Sequence, residues 1–60
     1  MTRKDYVAIA AAINQAVPLY PSPAGANALR CVSLEIADKM ANDNPRFDRA
    51  RFLKACGVQS

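Results

Sequence analysis

Three prolines between residues 18 and 23 divide the chain into two parts. Each proline fixes its own φ angle and disfavours the α region in the residue before it. The segment PLYPSP therefore predicts a stiff extended connection that no single helix can cross. Apolar residues recur at three and four spacing both before and after this segment, which predicts a helix on each side.

The first helix is expected to begin after Thr2, which suits the N-cap, with Asp5 at the third helical position. This pair is a short-chain variant of the capping box, and a carboxylate also suits the positive end of a helix. Pro18 closes this helix at about Val17. The expected inward stripe comprises Tyr6, Ile9, Ala10, Ile13, Ala16 and Val17.

A second helix is predicted from Ser22 as N-cap and Pro23 as first residue, ending within residues 42–45. Its inward stripe is expected to hold Leu29, Val32, Ile36 and Met40. A further apolar stripe, about 140° around the helix, holds Leu34 with Ala37 and Ala41. Two apolar faces predict that this helix is the middle one and packs on both neighbours.

The sequence NPRFD predicts the start of a third helix of about nine residues. Asp48 suits the N-cap, Phe47 can pack on Phe52 as a hydrophobic staple, and Gly57 suits the position after the last turn. Phe52, Leu53 and Cys56 are expected to face inward. The predicted fold is an all-α, three-helix domain over residues 1–60, in which a Pro-rich connection joins two longer helices and a short C-terminal helix follows.

A 60-residue chain can build only a thin core. Burial of apolar surface contributes about 80 kcal/mol, and ordering the chain costs about 75 kcal/mol. Cys31 and Cys56 are expected to be unlinked, because no export signal accompanies them. With no histidine and only two cysteines, the chain predicts no structural zinc site and no cofactor. Self-association or a partner protein is therefore the expected source of added stability.

Residues 6–29 form a run of 24 residues without a charge. Opposite the core stripe of the first helix, this run leaves a face made of Ala8, Ala11, Ala12 and Gln15. An ordinary exposed helix face carries charged residues, although alanine is also the best helix former and tolerates water. The face therefore predicts either a plain solvent face or close packing against a second copy in a homodimer.

Four basic residues lie close together near the C-terminus, namely Arg46, Arg49, Arg51 and Lys54. A basic run of this kind is either a solvated face or the binding edge for an acidic partner. The nearby Phe47 and Phe52 add an arginine and aromatic combination that is enriched at protein interfaces. We expect these four residues to form the edge of a protein-binding surface.

Other function classes are less well supported by the sequence. The chain has no histidine, no Gly-rich phosphate loop and no nucleophile beside a base, so we expect no catalytic residue and no enzyme activity. The continuous apolar block, Tyr6 to Ile13, is too short to span a membrane. A net charge of +3 keeps nucleic-acid binding as the alternative, although the third helix offers no Asn or Gln to read bases.

The opening MTRKDYVAIA and the closing NPRFDRARFLKACG resemble small, uncharacterised proteins of bacteriophages and prophages. Those chains share a basic start followed by an aromatic residue and Ile-Ala, and an Asn-Pro-x-Phe-Asp end followed by Phe and Ala-Cys. The resemblance covers less than half of the chain. It implies a cytoplasmic protein of an infected bacterium that binds, and modulates or inhibits, a host enzyme or defence complex, as anti-CRISPR proteins do. It implies no catalytic residue.

Overall fold

The computed structural model describes residues 2–58, which form three α-helices. Helix α1 spans Arg3–Ala16, α2 spans Pro23–Asp43 and α3 spans Arg49–Cys56. No β-strand occurs within residues 2–58. The predicted all-α, three-helix fold is thus confirmed. The outermost positions of the predicted 1–60 domain, Met1, Gln59 and Ser60, lie outside the described residues.

Side-chain caps fix where the helices begin. The Thr2 N–H donates to Oδ2 of Asp5 at 2.8 Å, so the carboxylate satisfies an amide at the start of α1. At α2, the Gly25 N–H donates to Oγ of Ser22 at 3.1 Å. Asp48 caps α3 in the same way. The three predicted helix starts are confirmed, because capping depends on residues close together in sequence.

The connection between α1 and α2 differs from its prediction in the first half. Val17–Leu19 form a 3₁₀ turn, in which the Tyr20 N–H donates to the Val17 carbonyl at 3.2 Å. The φ angle that Pro18 imposes fits a 3₁₀ turn as well as an extended chain. The expectation of extended structure throughout PLYPSP was therefore wrong at Pro18 and Leu19, whereas Ser22 is extended.

Helix α3 packs against both α1 and α2, and the backbones of these two longer helices approach each other at few positions. The expectation that α2 is the middle helix was therefore wrong. Ala10 of α1 and Ser33 and Ala37 of α2 are buried beside larger apolar side chains, and these small residues let the short helix come close. The buried residues of the described chain are Ala10, Ser33, Ala37, Met40, Phe52, Leu53 and Cys56.

The inward face of α2 agrees with its prediction only in part, because Met40 and Ala37, one from each predicted apolar stripe, are buried. Ser33 and Ala37 are fully buried together with Met40, whereas Val32 is 53% exposed. The Ser33 hydroxyl donates to the Leu29 carbonyl at 2.7 Å, which satisfies this buried polar group within the helix. Helix α3 packs where the side chains are smallest, so the stripe of larger apolar residues is turned partly away from the core. Ile36 from that stripe is half-buried.

The lengths of the helices leave one part of α2 uncovered. Its 21 residues span about 31 Å, nearly the whole 33 Å long axis of the molecule, whereas the 8 residues of α3 span about 12 Å. Every buried residue of α2 lies at or after Ser33. None of residues 23–32 is buried. The N-terminal half of α2 thus lies outside the core.

The two cysteines are unlinked, as predicted, and lie in different surroundings. Both are free thiols; Cys31 is exposed and Cys56 is fully buried. Burial raises the pKa of the Cys56 thiol above its ordinary value, and a hydrogen bond with the Ser33 side chain opposes this effect in part. Cys56 therefore stays protonated and serves as a small apolar core residue.

Gly57 ends α3 and is held close to α1. Its φ angle is +75°, the one positive φ in the described chain, and a Cβ at this position would lie 2.6 Å from Nδ2 of Asn14. That amide donates to the Ala55 carbonyl at 3.2 Å, which ties α1 to the last turn of α3. Glycine is thus required at residue 57 by both backbone conformation and space.

Gly57→Ala should lower the free energy of unfolding by about 2 kcal/mol, since it adds backbone strain and a steric clash. In an Asn14→Ala background the clash disappears and the strain remains, so the cost of Gly57→Ala should fall to about 1 kcal/mol. Urea unfolding of the four proteins in this double-mutant cycle measures both terms. Equal stability of Gly57→Ala and the wild type would contradict the assigned left-handed conformation.

Thiol titration of the native protein should show one fast and one slow group. Cys31 should react with an aromatic disulfide reagent at the rate of an exposed thiol, and Cys56 only as the fold opens, because it is buried and its raised pKa disfavours the reactive thiolate. Cys31→Ser is the matched control and should leave only the slow group. A stable disulfide in the wild type, or two equal rates, would refute this assignment.

Candidate functional site

An open groove of about 430 Å³ lies between the first half of α1 and the segment that leads from the end of α2 into α3. Its lining residues come from residues 3–10 and 44–55, and none from residues 11–43. The turn between α2 and α3 brings these two ends of the chain together. The groove therefore depends on the tertiary packing of α3 against α1.

Three aromatic side chains line one part of the groove and contact one another. The Phe47 ring packs edge-on against Tyr6, with centroids 4.9 Å apart, and is tilted against Phe52 at 5.5 Å. Each such pair contributes about 0.5–1.5 kcal/mol beyond its buried area. Phe52 is buried, whereas the other two rings are only partly buried. They offer an apolar surface inside the groove.

Three arginines, Arg3, Arg46 and Arg51, also line the groove. Neighbouring side chains fix the backbone of two of them. The Arg46 N–H donates to Oδ1 of Asn44 at 3.0 Å, and the Arg51 N–H donates to Oδ1 of Asp48 at 3.0 Å. Asp48 is the one carboxylate in the lining, so the groove carries a net formal charge of +2.

The structure divides the basic run that the sequence analysis singled out. Arg46 and Arg51 lie in the groove, whereas Arg49 forms an ion pair with Asp38 of α2. Both side chains of this pair are about half exposed, so we assign it no more than about 1 kcal/mol. Lys54 is exposed and does not line the groove. The four residues thus do not form one continuous lining, and their role in binding stays a prediction.

Arg3 and Tyr6 line the groove, although no sequence pattern predicted them as binding residues. Both lie in the first turns of α1, some 40 residues before the basic run. One local signal was available, because Arg3, Val7 and Ala10 share a helix face by their spacing of four and three. Val7 is 60% exposed in the groove lining, which is unusual for a large apolar residue beside a core stripe.

The small-residue face predicted for self-association is exposed. Ala8, Ala11, Ala12 and Gln15 all lie on the surface of α1. Both a solvent face and an interface would have this exposure, so the association through this face stays a prediction. None of the four residues lines the groove.

The groove is suited to binding negatively charged groups. Its lining contains no serine or cysteine, and Asp48 uses one carboxylate oxygen to cap α3. Three guanidinium groups beside aromatic rings can hold a carboxylate and an apolar side chain together.

Elsewhere in residues 2–58, no group of three potential metal ligands is present. None of the described helices is both long enough and apolar enough to cross a bilayer.

The short turn before α3 gives the groove its rigidity. Asn44 ends α2, and the Phe47 N–H donates to its carbonyl at 3.0 Å. The Asn44 side chain accepts a second hydrogen bond from within the same turn. The charged and aromatic groups of the groove are therefore presented by an ordered segment.

The chain matches no family model, and neither a curated protein nor a solved structure shows significant similarity to it.

Proposed function

We propose that the protein is a non-enzymatic binding module whose groove takes an acidic, partly apolar segment of another protein. The observation that carries this proposal is the placement of Arg3, Arg46 and Arg51 around a cluster of aromatic rings. These residues come from two distant parts of the sequence. Packing of the fold gathers them where a ligand can reach them.

The chemistry of the groove favours a protein segment as its ligand. A guanidinium group binds a carboxylate with two parallel hydrogen bonds, which are about twice as strong as neutral ones. Arginine and aromatic residues are enriched among the few residues that supply most of the energy of a protein interface. The volume of the groove lies within the range of about 300–1,000 Å³ that is usual for ligand pockets.

The biological setting follows from the resemblance of both chain ends to phage and prophage proteins. We propose that the partner is a protein of the bacterial host, in its cytoplasm, and that binding modulates or inhibits a host enzyme or defence complex, as anti-CRISPR proteins do. This part of the proposal rests on the resemblance and on the small size of the chain. The groove supports only the chemistry of the partner.

Binding of single-stranded nucleic acid is the alternative function. Cationic side chains beside aromatic rings also occur in grooves that hold phosphates and stack bases. Against this alternative, the groove offers only three cations, and Tyr6 and Phe47 pack against each other and against the core. Four acids lie in the second half of the chain and weaken its positive field, namely Glu35, Asp38, Asp43 and Asp48.

Reversal of two groove charges tests the proposal. Arg46→Glu with Arg51→Glu should lower the affinity for a labelled peptide rich in Glu and Phe by about 100-fold, because two charge-assisted hydrogen bonds are lost. The matched control, Lys4→Glu with Arg30→Glu, makes the same change of net charge at exposed positions outside the groove. It should leave the affinity within about threefold. Fluorescence anisotropy with the Glu peptide and a Gln analogue measures these effects.

The same variants distinguish the two functions. A loss of about 10³-fold in DNA affinity between about 50 and 200 mM salt would require six or more phosphate contacts, more than the groove provides. Tight DNA binding with that salt dependence, abolished by the groove variant, would replace the proposal by its alternative. Equal loss of peptide binding in the groove variant and the control would also contradict it. Affinity capture from bacterial lysate with and without nuclease would then identify the partner.

A further inference from the structure

One apolar stripe of α2 is only partly used by the core, because Ile36 packs against the core cluster whereas Val32 is more than half exposed. Leu29, Val32 and Ile36 follow one another at spacings of three and four, the spacing of the seam between two packed helices. Leu29 and Ile36 are only half-buried, and Val32 is 53% exposed. The pattern of a helix contact is thus present, and within residues 2–58 it is covered only in part.

The turn before α2 extends this stripe. Leu19 is 72% exposed and Tyr20 is 56% exposed. A Cβ at Gly25 would lie 2.9 Å from the Cβ of Tyr20, so Tyr20 lies against the side of Gly25. Gly25 precedes Val32 by seven residues, which puts both on the same helix face. Tyr20 therefore adjoins the stripe. We call the combined surface, Tyr20, Leu29, Val32 and Ile36, the α2 seam.

The charge distribution favours a second copy on the α2 seam. In a two-fold symmetric contact each surface meets itself, so like charges would repel. Arg30 is the one charged residue of the chain between Tyr6 and Leu34. A surface with so little charge can pack against its own copy without repulsion. An acidic partner, in contrast, would bind to the arginines of the groove.

The molecule as a whole exposes more surface than a typical folded monomer of its mass. The accessible surface is 4472 Å², whereas a folded monomer of 6.5 kDa exposes about 3,800 Å². The excess, about 670 Å² over the whole molecule, approaches the roughly 800 Å² that each partner buries in a standard interface. One symmetric contact through the α2 seam would bring the exposed area of this chain into the ordinary range.

We infer that the protein forms a homodimer in which the α2 seams of two copies pack together. This inference is independent of the proposed function, because no residue of the α2 seam lines the groove. The groove stays open in each subunit. The competing surface is the alanine face of α1, whose small side chains bury less apolar area than Leu, Val, Ile and Tyr.

Two matched substitutions distinguish these surfaces. Val32→Glu and Ala12→Glu each add one negative charge at an exposed helical position. Sedimentation equilibrium should show a dimer for the wild type. Val32→Glu should raise its dissociation constant by at least about 100-fold, because each subunit would bury an unpaired carboxylate. Ala12→Glu should stay within about threefold of the wild type.

A milder variant covers the case in which Val32→Glu fails to fold. Val32→Ala keeps an apolar helix former and should raise the dissociation constant about tenfold, with an unchanged circular dichroism spectrum. A wild type that stays monomeric at about 1 mM would overturn the inference. The seam would then be a binding surface for a different protein. Dissociation by Ala12→Glu, or an unchanged constant in Val32→Ala, would overturn it as well.

Discussion

Packing of the short helix α3 against both longer helices is the interaction on which the rest of the structure depends. Its three buried side chains, Phe52, Leu53 and Cys56, share one core cluster with residues from α1 and α2. Small residues at some of the facing positions, notably Ala37 on α2, let α3 come close. At one end, the packing creates the groove. At the other end, α3 is too short to cover α2, and part of the apolar seam stays exposed.

The uncharged run of residues 6–29 thus has two different roles. Its first part supplies the core side of α1, where Ala10 is buried and Ile9 and Ile13 pack against the core cluster. Its later part crosses the surface, where Leu19 and Tyr20 are exposed. The basic and aromatic groove lies at the opposite end of the chain's long axis. The two proposed contacts, one with a second copy and one with a different partner, therefore use distinct surfaces.

Local sequence signals predicted the helices well. The features that were not predicted depend on packing between residues far apart in the sequence. Ser22 and Asp48 cap their helices as expected, because a cap involves residues only three apart. The apolar period of α2 indicated Val32 as a core residue, but a period cannot tell whether the covering helix belongs to the same chain. In the groove, the basic run of the sequence indicated Arg51 as a binding residue, whereas Arg3 was not predicted. Their proximity depends on how α1 and α3 pack, and no local pattern records it.

Amide hydrogen exchange, followed by NMR at low and high protein concentration, tests this account most directly. The account predicts that α3 and the facing part of α2 around Ala37 are the most protected regions at both concentrations, since they form the core. Amides of residues 26–32 should exchange quickly in the dilute protein and become protected as the concentration rises. Strong protection of residues 26–32 at every concentration would contradict an uncovered half of α2. Protection that rises instead in residues 8–15 would place the contact on α1.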